Sequence, residues 1–274
     1  MTNNKKIKIL KDISLFLKKK IIDFSYLKKT HHIGSAVSCL EILVSLYFSI
    51  MNINKRNLKS INRDVFILSK GHAAISLYVT LMKKGFFTES FLKKNFLTDN
   101  GFLGGHPDMN KKIGIDFNSG SLGHGLSVGA GIALAVKKLK EKNNVFVLLG
   151  DGECNEGMIW EALLFASHQK LGNLIAIVDY NKLQGLGRTT EVLDLEPFSA
   201  KFKSFGWHVK ETNGHDIKSI IKSFNILLKE KNKPKLLIAK TIKGNGIPTM
   251  INKLESHYEV LTNEKYKKII NYIK

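Results

Sequence analysis

The feature that most constrains this chain is a pair of apolar segments, each ending in a polar side chain. Residues 145–149 lead into Gly150, Asp151 and Gly152, and residues 174–178 lead to Asn181, thirty positions after Asp151. The segment between them is long enough for one crossover helix, which predicts a βαβ unit with parallel strands. The carboxylate and the amide then lie at the carboxyl ends of these strands, where ligands bind in open α/β sheets.

The two side chains suggest a metal site. Carboxylate and amide oxygens are hard ligands of the kind that Mg²⁺ prefers, and neighbouring glycines allow the backbone to approach a ligand closely. We therefore expect Asp151 and Asn181 to hold a Mg²⁺ that also takes diphosphate oxygens.

The rest of the chain alternates between helical and strand patterns. Further strands are predicted over 66–68, 207–209 and 235–240, and helices over 5–29, 39–51, 69–84, 90–97, 122–142, 156–171, 200–205 and 217–229. Ser38 is expected to cap the helix 39–51, and the glycine-rich segment 98–120 is typical of a functional loop. This pattern predicts an α/β fold, a doubly wound and mostly parallel sheet flanked by helices, in a single domain over residues 1–274.

The chain is strongly basic, with a net charge of +20. Arginine occurs only at Arg56, Arg63 and Arg188, so forty of the 43 basic residues are lysine. Proteins that read nucleic acids depend on arginine and on aromatic platforms. The scattered lysines therefore favour a compositional bias, and a nucleic-acid-binding module is the weaker alternative. The positive field should still favour anionic ligands such as sugar phosphates.

The cysteines and the apolar segments indicate a cellular setting. Cys39 and Cys154 lie far apart, which gives neither a disulfide framework nor a zinc-binding spacing. No secretory signal is visible, and the most apolar segment, 42–51, is too short to span a membrane. We expect a cytoplasmic protein that binds no membrane, although the amphipathic segment 7–22 leaves a transit peptide open.

Five histidines lie in glycine-bearing loops or at helix starts: His32, His72, His106, His124 and His257. Histidine can donate hydrogen bonds to phosphates or sugar hydroxyls, and it can accept protons near neutral pH. A single histidine in such a position is usually structural, but five together indicate a site.

These motifs resemble the thiamine-diphosphate-dependent transketolase family, specifically its N-terminal, diphosphate-binding domain. The resemblance covers nearly the whole chain and depends on five segments in order: residues 32–43, 69–72, 120–125, 150–181, and 240–244 followed by Ser256 and His257. It implies the thiamine-diphosphate-binding fold and transfer of a two-carbon ketol unit from a ketose phosphate to an aldose phosphate. Such a transferase would belong to carbohydrate metabolism, in the pentose phosphate pathway.

The resemblance also implies roles for particular residues. Asp151, Asn181 and the backbone carbonyl of Leu183 should hold Mg²⁺, for which Ca²⁺ or Mn²⁺ can substitute. The residues expected to bind thiamine diphosphate are His72, Gly120, Leu122, Gly123, Gly150, Asp151, Gly152, Glu153, Asn181 and His257.

The expected catalytic residues are four histidines and two glutamates. His32 and His106 match histidines that hold hydroxyls of the donor sugar, while His72 and His257 should face the reaction centre. Glu156 and the second glutamate match residues that link two active sites through the dimer interface. For that second residue, Glu161, a solvated carboxylate on a helix is an equally good interpretation.

The resemblance further implies a partner chain. In the family, a glutamate that activates the cofactor lies on a pyrimidine-binding domain, and neither that domain nor the family's C-terminal domain is recognised in residues 1–274. We therefore expect an N-terminal subunit of a split transketolase. It should be inactive alone and should work with a C-terminal subunit, in an α₂β₂ assembly.

Some positions depart from the family pattern: Ile33, His124, the segment 184–188 and Tyr258. The last two lie near the expected entrance, so the donor and acceptor sugars stay open. The nearest alternative is the α subunit of a thiamine-diphosphate-dependent 2-oxo acid dehydrogenase, followed by 1-deoxyxylulose-phosphate synthase and a non-catalytic scaffold. The histidines favour a sugar substrate over a simple 2-oxo acid.

Overall fold

Five parallel strands form one sheet in the computed structural model, which describes residues 3–273. The strands are β1 (Val65–Leu68), β2 (Val145–Gly150), β3 (Leu174–Tyr180), β4 (His208–Asn213) and β5 (Lys235–Lys240). Their order across the sheet is β1–β2–β3–β5–β4, with every neighbouring pair parallel. The connection from β3 to β4 therefore passes over the position that β5 later fills.

Helices surround the sheet. They are α1 (Asn3–Lys28), α2 (Ile33–Ser38), α3 (Leu40–Ser45), α4 (Ala74–Lys83), α5 (Glu89–Asn95), α6 (His124–Lys138), α7 (Gly157–His168), α8 (Thr189–Val192), α9 (Phe198–Ser204), α10 (Ile217–Leu227) and α11 (Asn263–Tyr272). Short 3₁₀ turns lie at Lys55–Asn57, Gly71–Ala73, Lys111–Ile113, Gly152–Asn155 and Leu254–His257, and a π turn follows α3 at Leu46–Ile50. None of the helices within residues 3–273 has the length and apolar character needed to cross a membrane.

The central strands are continuous apolar runs because both faces of the sheet are covered. Successive residues of a strand point to opposite faces. Phe146 and Leu148 thus join one hydrophobic core, with α1, α3, α4 and α10. Val147 and Leu149 join a second core, with α6, α7 and α9. These two covered faces confirm the predicted α/β fold, a parallel sheet with helices on both sides.

The predicted βαβ unit is present as β2, α7 and β3. The two strands are direct neighbours, and Gly150 lies opposite Asp179 in their register. Asp151 follows β2 immediately and Asn181 follows β3 immediately. The geometry of the sheet therefore brings these two residues to adjacent strand ends.

The predicted cap at Ser38 is wrong. Ser38 ends the buried helix α2, and its hydroxyl donates to the Asp179 carboxylate at 2.7 Å instead of capping a following helix. A buried hydroxyl needs a partner, and a charged acceptor gives the stronger hydrogen bond. The chain turns at Cys39, so the predicted helix 39–51 is instead α3 with its π turn.

Candidate active site

A cavity of about 610 Å³ opens at the carboxyl ends of β1, β2 and β3. Most of the residues predicted from the sequence line it: His32, His72, His106, Gly120, Leu122, Gly150, Asp151, Gly152, Glu153, Glu156, Asn181, Leu183 and His257. Two predicted site residues do not line this cavity, namely Gly123 and Glu161. His124 does not line it either; it begins α6 with an exposed side chain.

The loops after β2 and β3 are tied together at the predicted metal site. The Asp151 carboxylate accepts the backbone N–H of Gly152 at 2.8 Å and that of Lys182 at 2.5 Å. The side-chain oxygen of Asn181 accepts the N–H of Leu183 at 3.0 Å. The strand ends thus form one rigid corner that carries several oxygen atoms.

This corner fits a divalent cation. Burial raises the pKa of Asp151 to about 6, and the nearby charge of Asp179 adds to the effect. A bound cation would favour the ionised carboxylate. The described residues contain no cluster of three His, Cys, Asp or Glu side chains suited to a metal. Such a cluster is not needed here, because the other two predicted ligands are an amide and a backbone carbonyl. Oxygen donors of this kind suit Mg²⁺.

Directly beneath the corner lies a buried ion pair between Lys70 and Asp179, whose side chains are 1% and 0% exposed. The ammonium group holds the pKa of Asp179 below its usual range, although burial itself acts to raise it. Asp179 also accepts hydrogen bonds from Ser38, Thr241 and the side-chain N–H₂ of Asn181. Because that N–H₂ group turns toward Asp179, the Asn181 oxygen is oriented toward Leu183. Sequence analysis quoted Lys70 within a motif but assigned it no role.

Glu153 is a structural anchor of the site. Its buried carboxylate accepts the N–H of Gly123 at 2.9 Å, the N–H of Gly150 at 3.0 Å and the hydroxyl of Ser69. Burial raises its pKa, and these hydrogen bonds oppose that shift. Gly123 has a φ of 84°, and a Cβ there would lie 2.8 Å from the Cβ of Glu156. Gly123 therefore contributes to the site through its backbone N–H.

Four histidines form a cluster on the other side of the cavity. The ring of His32 lies 4.5 Å from that of His257, 5.6 Å from that of His72 and 6.5 Å from that of His106, between centroids. Burial lowers the pKa of His32 to about 4 and that of His257 to about 3. The pKa of His72 is lowered for the same reason. These three rings are consequently neutral near pH 7, with one nitrogen as donor and the other as acceptor.

Lys243 is a further residue of the site that sequence analysis left without a role. Its ammonium group donates to the carbonyl of Leu183 at 3.1 Å and lies 3.1 Å from Nδ1 of His257. It thereby connects the metal corner with the histidine cluster. Burial lowers the pKa of Lys243 to about 8. A lysine inside the glycine-bearing segment 240–244 was the available signal in the sequence.

The two predicted glutamates lie at different places on α7. Glu156 precedes the helix and lines the cavity, whereas Glu161 lies on the exposed side of the helix. That exposed side also carries Leu164, which is 61% exposed, and Phe165, which is 41% exposed. The structure thus places only Glu156 beside the other site residues.

Comparison with known proteins identifies the family. Residues 17–272 match the family described as "Transketolase, thiamine diphosphate binding domain". One of the two subunits that carry the name apulose-4-phosphate transketolase, from Phocaeicola vulgatus, is 41% identical over 257 residues, covering 93% of this chain and 90% of that protein. "6-deoxy-6-sulfo-D-fructose transketolase subunit SqwG" of a Clostridium species is also 41% identical, over 86% of each chain.

Full-length transketolases match over a smaller part of their length. Transketolase of Homo sapiens is 35% identical over 99% of this chain and 43% of its own. The solved transketolase of Leishmania mexicana superimposes with a TM-score of 0.89 at 26% identity, over 96% of this chain and 41% of that one. The predicted fold, resemblance and transferase class are confirmed at this level. The chain belongs to the transketolase family and corresponds to its thiamine-diphosphate-binding domain.

Proposed function

We propose that this chain is the cofactor-binding subunit of a split transketolase, which transfers a two-carbon ketol unit between sugars together with a second subunit. The observation that carries the proposal is one cavity in which Asp151 and Asn181, at adjacent strand ends, face a cluster of four histidines. Further support comes from relatives of matching length that are named transketolase subunits. On this proposal, residues 1–274 are a single diphosphate-binding domain.

We assign the metal and cofactor roles as the sequence predicted them. Asp151, Asn181 and the Leu183 carbonyl would hold Mg²⁺, which anchors the diphosphate of thiamine diphosphate. The bound cofactor would supply the electron sink for carbon–carbon bond cleavage. The remaining predicted contacts are Gly120, Leu122, Gly150, Gly152 and Glu153. Lys243 adds a buried positive charge that suits a diphosphate.

The histidines would bind and orient the sugar. His32 and His106 are assigned to hydroxyls of the donor, and His72 and His257 to the region of the reacting carbonyl. Because the rings of His32, His72 and His257 are neutral near pH 7, each can accept a proton from a hydroxyl or donate a hydrogen bond to an oxygen. Their closely packed rings would also exclude water from the carbonyl.

The partner would complete the site. We assign the pyrimidine-binding and C-terminal domains to a separate subunit, in an α₂β₂ assembly located in the cytoplasm. Glu156 and Glu161 would lie at or near the interface between two copies of α7. The exposed Leu164 and Phe165 beside Glu161 support that placement, since an apolar helix face is favourable when covered.

The sugars are the least constrained part of the proposal. The two relatives of matching length are named for apulose 4-phosphate and for 6-deoxy-6-sulfo-D-fructose, both of which carry an anionic group. An anionic ketose is therefore the proposed donor for this chain, and ketose phosphates of the pentose phosphate pathway are the first to be assayed. Its positive charge favours such substrates.

Calorimetry and an activity assay test the proposal. Thiamine diphosphate should bind the chain with Mg²⁺, and Asp151→Ala should abolish the metal-dependent part of that binding. With a C-terminal subunit from a neighbouring gene, the chain should transfer a ketol unit from xylulose 5-phosphate and should not decarboxylate pyruvate. Pyruvate decarboxylation would favour the 2-oxo acid dehydrogenase alternative. Normal transfer by the chain alone would contradict the need for a partner.

A further inference from the structure

A second cavity lies at the opposite edge of the sheet from the candidate active site. It has a volume of about 820 Å³ and is bordered by Val65, the first residue of β1, and by Asn143, just before β2. The candidate active site lies at the carboxyl ends of the same strands. The two cavities therefore have no lining residue in common.

The walls of this second cavity are held together by a buried ion pair. Arg63 is 7% exposed and donates to both carboxylate oxygens of Asp116, at 2.9 and 2.5 Å. It also donates to the backbone carbonyls of Leu58 and Asp64, at 2.9 and 3.0 Å. Such a paired, hydrogen-bonded arginine fixes geometry. The segment 55–63 is thereby fixed against the turn Lys111–Ile113.

Five cations lie along the rim of this cavity: Lys55, Arg56, Lys59, Lys111 and Lys112. Within residues 3–273, none of the five forms an ion pair with a carboxylate. The two carboxylates close to these walls are already engaged. Asp116 is paired with Arg63, and Asp64 accepts the N–H groups of Asn52 and Asn144, each at 2.7 Å. The rim consequently presents uncompensated positive charge to a ligand.

The interior of the same cavity is apolar. Leu58, Ile61, Val65, Ile132 and Val136 line it, and Ile61 is 59% exposed although it is a large aliphatic residue. An inorganic anion would make no use of this surface. A ligand that combines an anionic end with an apolar, planar body would use both the rim and the interior.

One buried polar group in the cavity lacks a partner. Asn143 lines the cavity and is 5% exposed, and its side-chain oxygen has no hydrogen-bond partner among the described residues. Buried acceptors are rarely left unpaired in folded proteins. A ring amino group of a ligand would supply the missing donor once the amide turns toward the cavity.

We propose that this cavity is a nucleotide-binding site, in which the cations of the rim hold the phosphates and the base packs on the aliphatic interior beside Asn143. A nucleoside diphosphate combines the required anionic end, planar body and amino group. This inference does not depend on the proposed transketolase activity, because the site lies on different residues.

Calorimetry of the full chain with ADP tests the proposal, in EDTA so that the metal corner does not contribute. ADP should bind with one-to-one stoichiometry and about tenfold more tightly than pyrophosphate, because only ADP reaches the interior. Combining Lys55→Glu with Arg56→Glu should weaken ADP and pyrophosphate about tenfold. Ile61→Ser should weaken ADP alone, by about threefold.

The matched control is Lys93→Glu combined with Lys94→Glu, the same charge change at exposed positions of α5. That control should bind ADP as the unchanged chain does, and all variants should retain its circular dichroism spectrum. Saturating thiamine diphosphate with Mg²⁺ should leave ADP binding unchanged. The proposal is wrong if ADP does not bind, if thiamine diphosphate displaces it, or if pyrophosphate binds equally well and Ile61→Ser has no effect.

Discussion

At the scale of single residues, the site depends on buried charges that compensate one another. Lys70 and Asp179 lie 109 positions apart in the sequence and meet beneath the metal corner. Asp179 stands inside a strand that is otherwise apolar, and its side chain is fully buried. The sequence alone could not show this pair, because only the fold brings the two residues together. In contrast, Asp151 and Asn181 were predictable, since each follows an apolar strand directly.

We predict that Lys70→Met destabilises the protein by about 3–5 kcal/mol, because it leaves the Asp179 carboxylate buried without its counter-charge. Urea unfolding followed by circular dichroism measures this loss. The control is Lys240→Met, which breaks the exposed pair with Glu211. It should cost no more than about 1 kcal/mol. Equal losses in both variants would contradict the importance of the buried pair.

At the scale of secondary structure, the strength of the sequence pattern decided what was predictable. The strands β2 and β3 are fully buried apolar runs and were predicted nearly to their ends. The strand β4 lies at the sheet edge with mostly polar residues, and only its start was predicted. The break between α2 and α3 was missed, because it depends on the contact of Ser38 with Asp179 rather than on a local signal. The position of β5 between β3 and β4 is likewise a property of the whole sheet.

Two glycines of α6 should respond in opposite ways to alanine. A Cβ at Gly125 would lie 2.3 Å from the Ser69 hydroxyl and 3.0 Å from the Ser69 Cα, whereas a Cβ at Gly131 meets nothing within 4 Å. Gly131→Ala should therefore stabilise the protein by about 0.5–1 kcal/mol through helix propensity. Gly125→Ala should destabilise it, because α6 must move away from the loop that carries Ser69. Thermal unfolding of both variants measures the difference, and a stabilising Gly125→Ala would show that the close packing is not needed.

At the scale of the whole molecule, buried neutral histidines make stability depend on pH. Burial lowers the pKa of His257 to about 3, so between pH 3 and about 6.5 the unfolded chain binds the proton that the folded chain does not. Stability from this residue is thus present above pH 6.5 and is lost as the pH falls. Asp151, whose pKa is raised to about 6, acts in the opposite direction. Net stability therefore does not isolate the histidine.

The contribution of His257 is measured as a difference between two proteins. The free energy of unfolding of the unchanged chain, minus that of His257→Gln, should fall as the pH is lowered from 6.5 to 4.5. Denaturant unfolding at several pH values gives this quantity. His168, on the exposed side of the chain, provides the matched control, and His168→Gln should show a much smaller dependence. A difference that is constant with pH would contradict a neutral, buried His257.

The assembly of the molecule gives the last prediction. The exposed face of α7 carries Leu164 and Phe165 one turn from Glu161, and burial of such a surface is favourable at about 25 cal/mol per Å². Phe165→Glu should therefore weaken self-association of the chain and of its complex with the C-terminal subunit, measured by analytical ultracentrifugation. Leu27→Glu is the matched control, because Leu27 is an aliphatic residue of α1 with 52% exposure. If both variants assemble alike, α7 is not the interface. Since Glu156 precedes the same helix and lines the cavity, loss of assembly through Phe165→Glu should also lower ketol transfer while leaving thiamine diphosphate binding to the isolated chain intact.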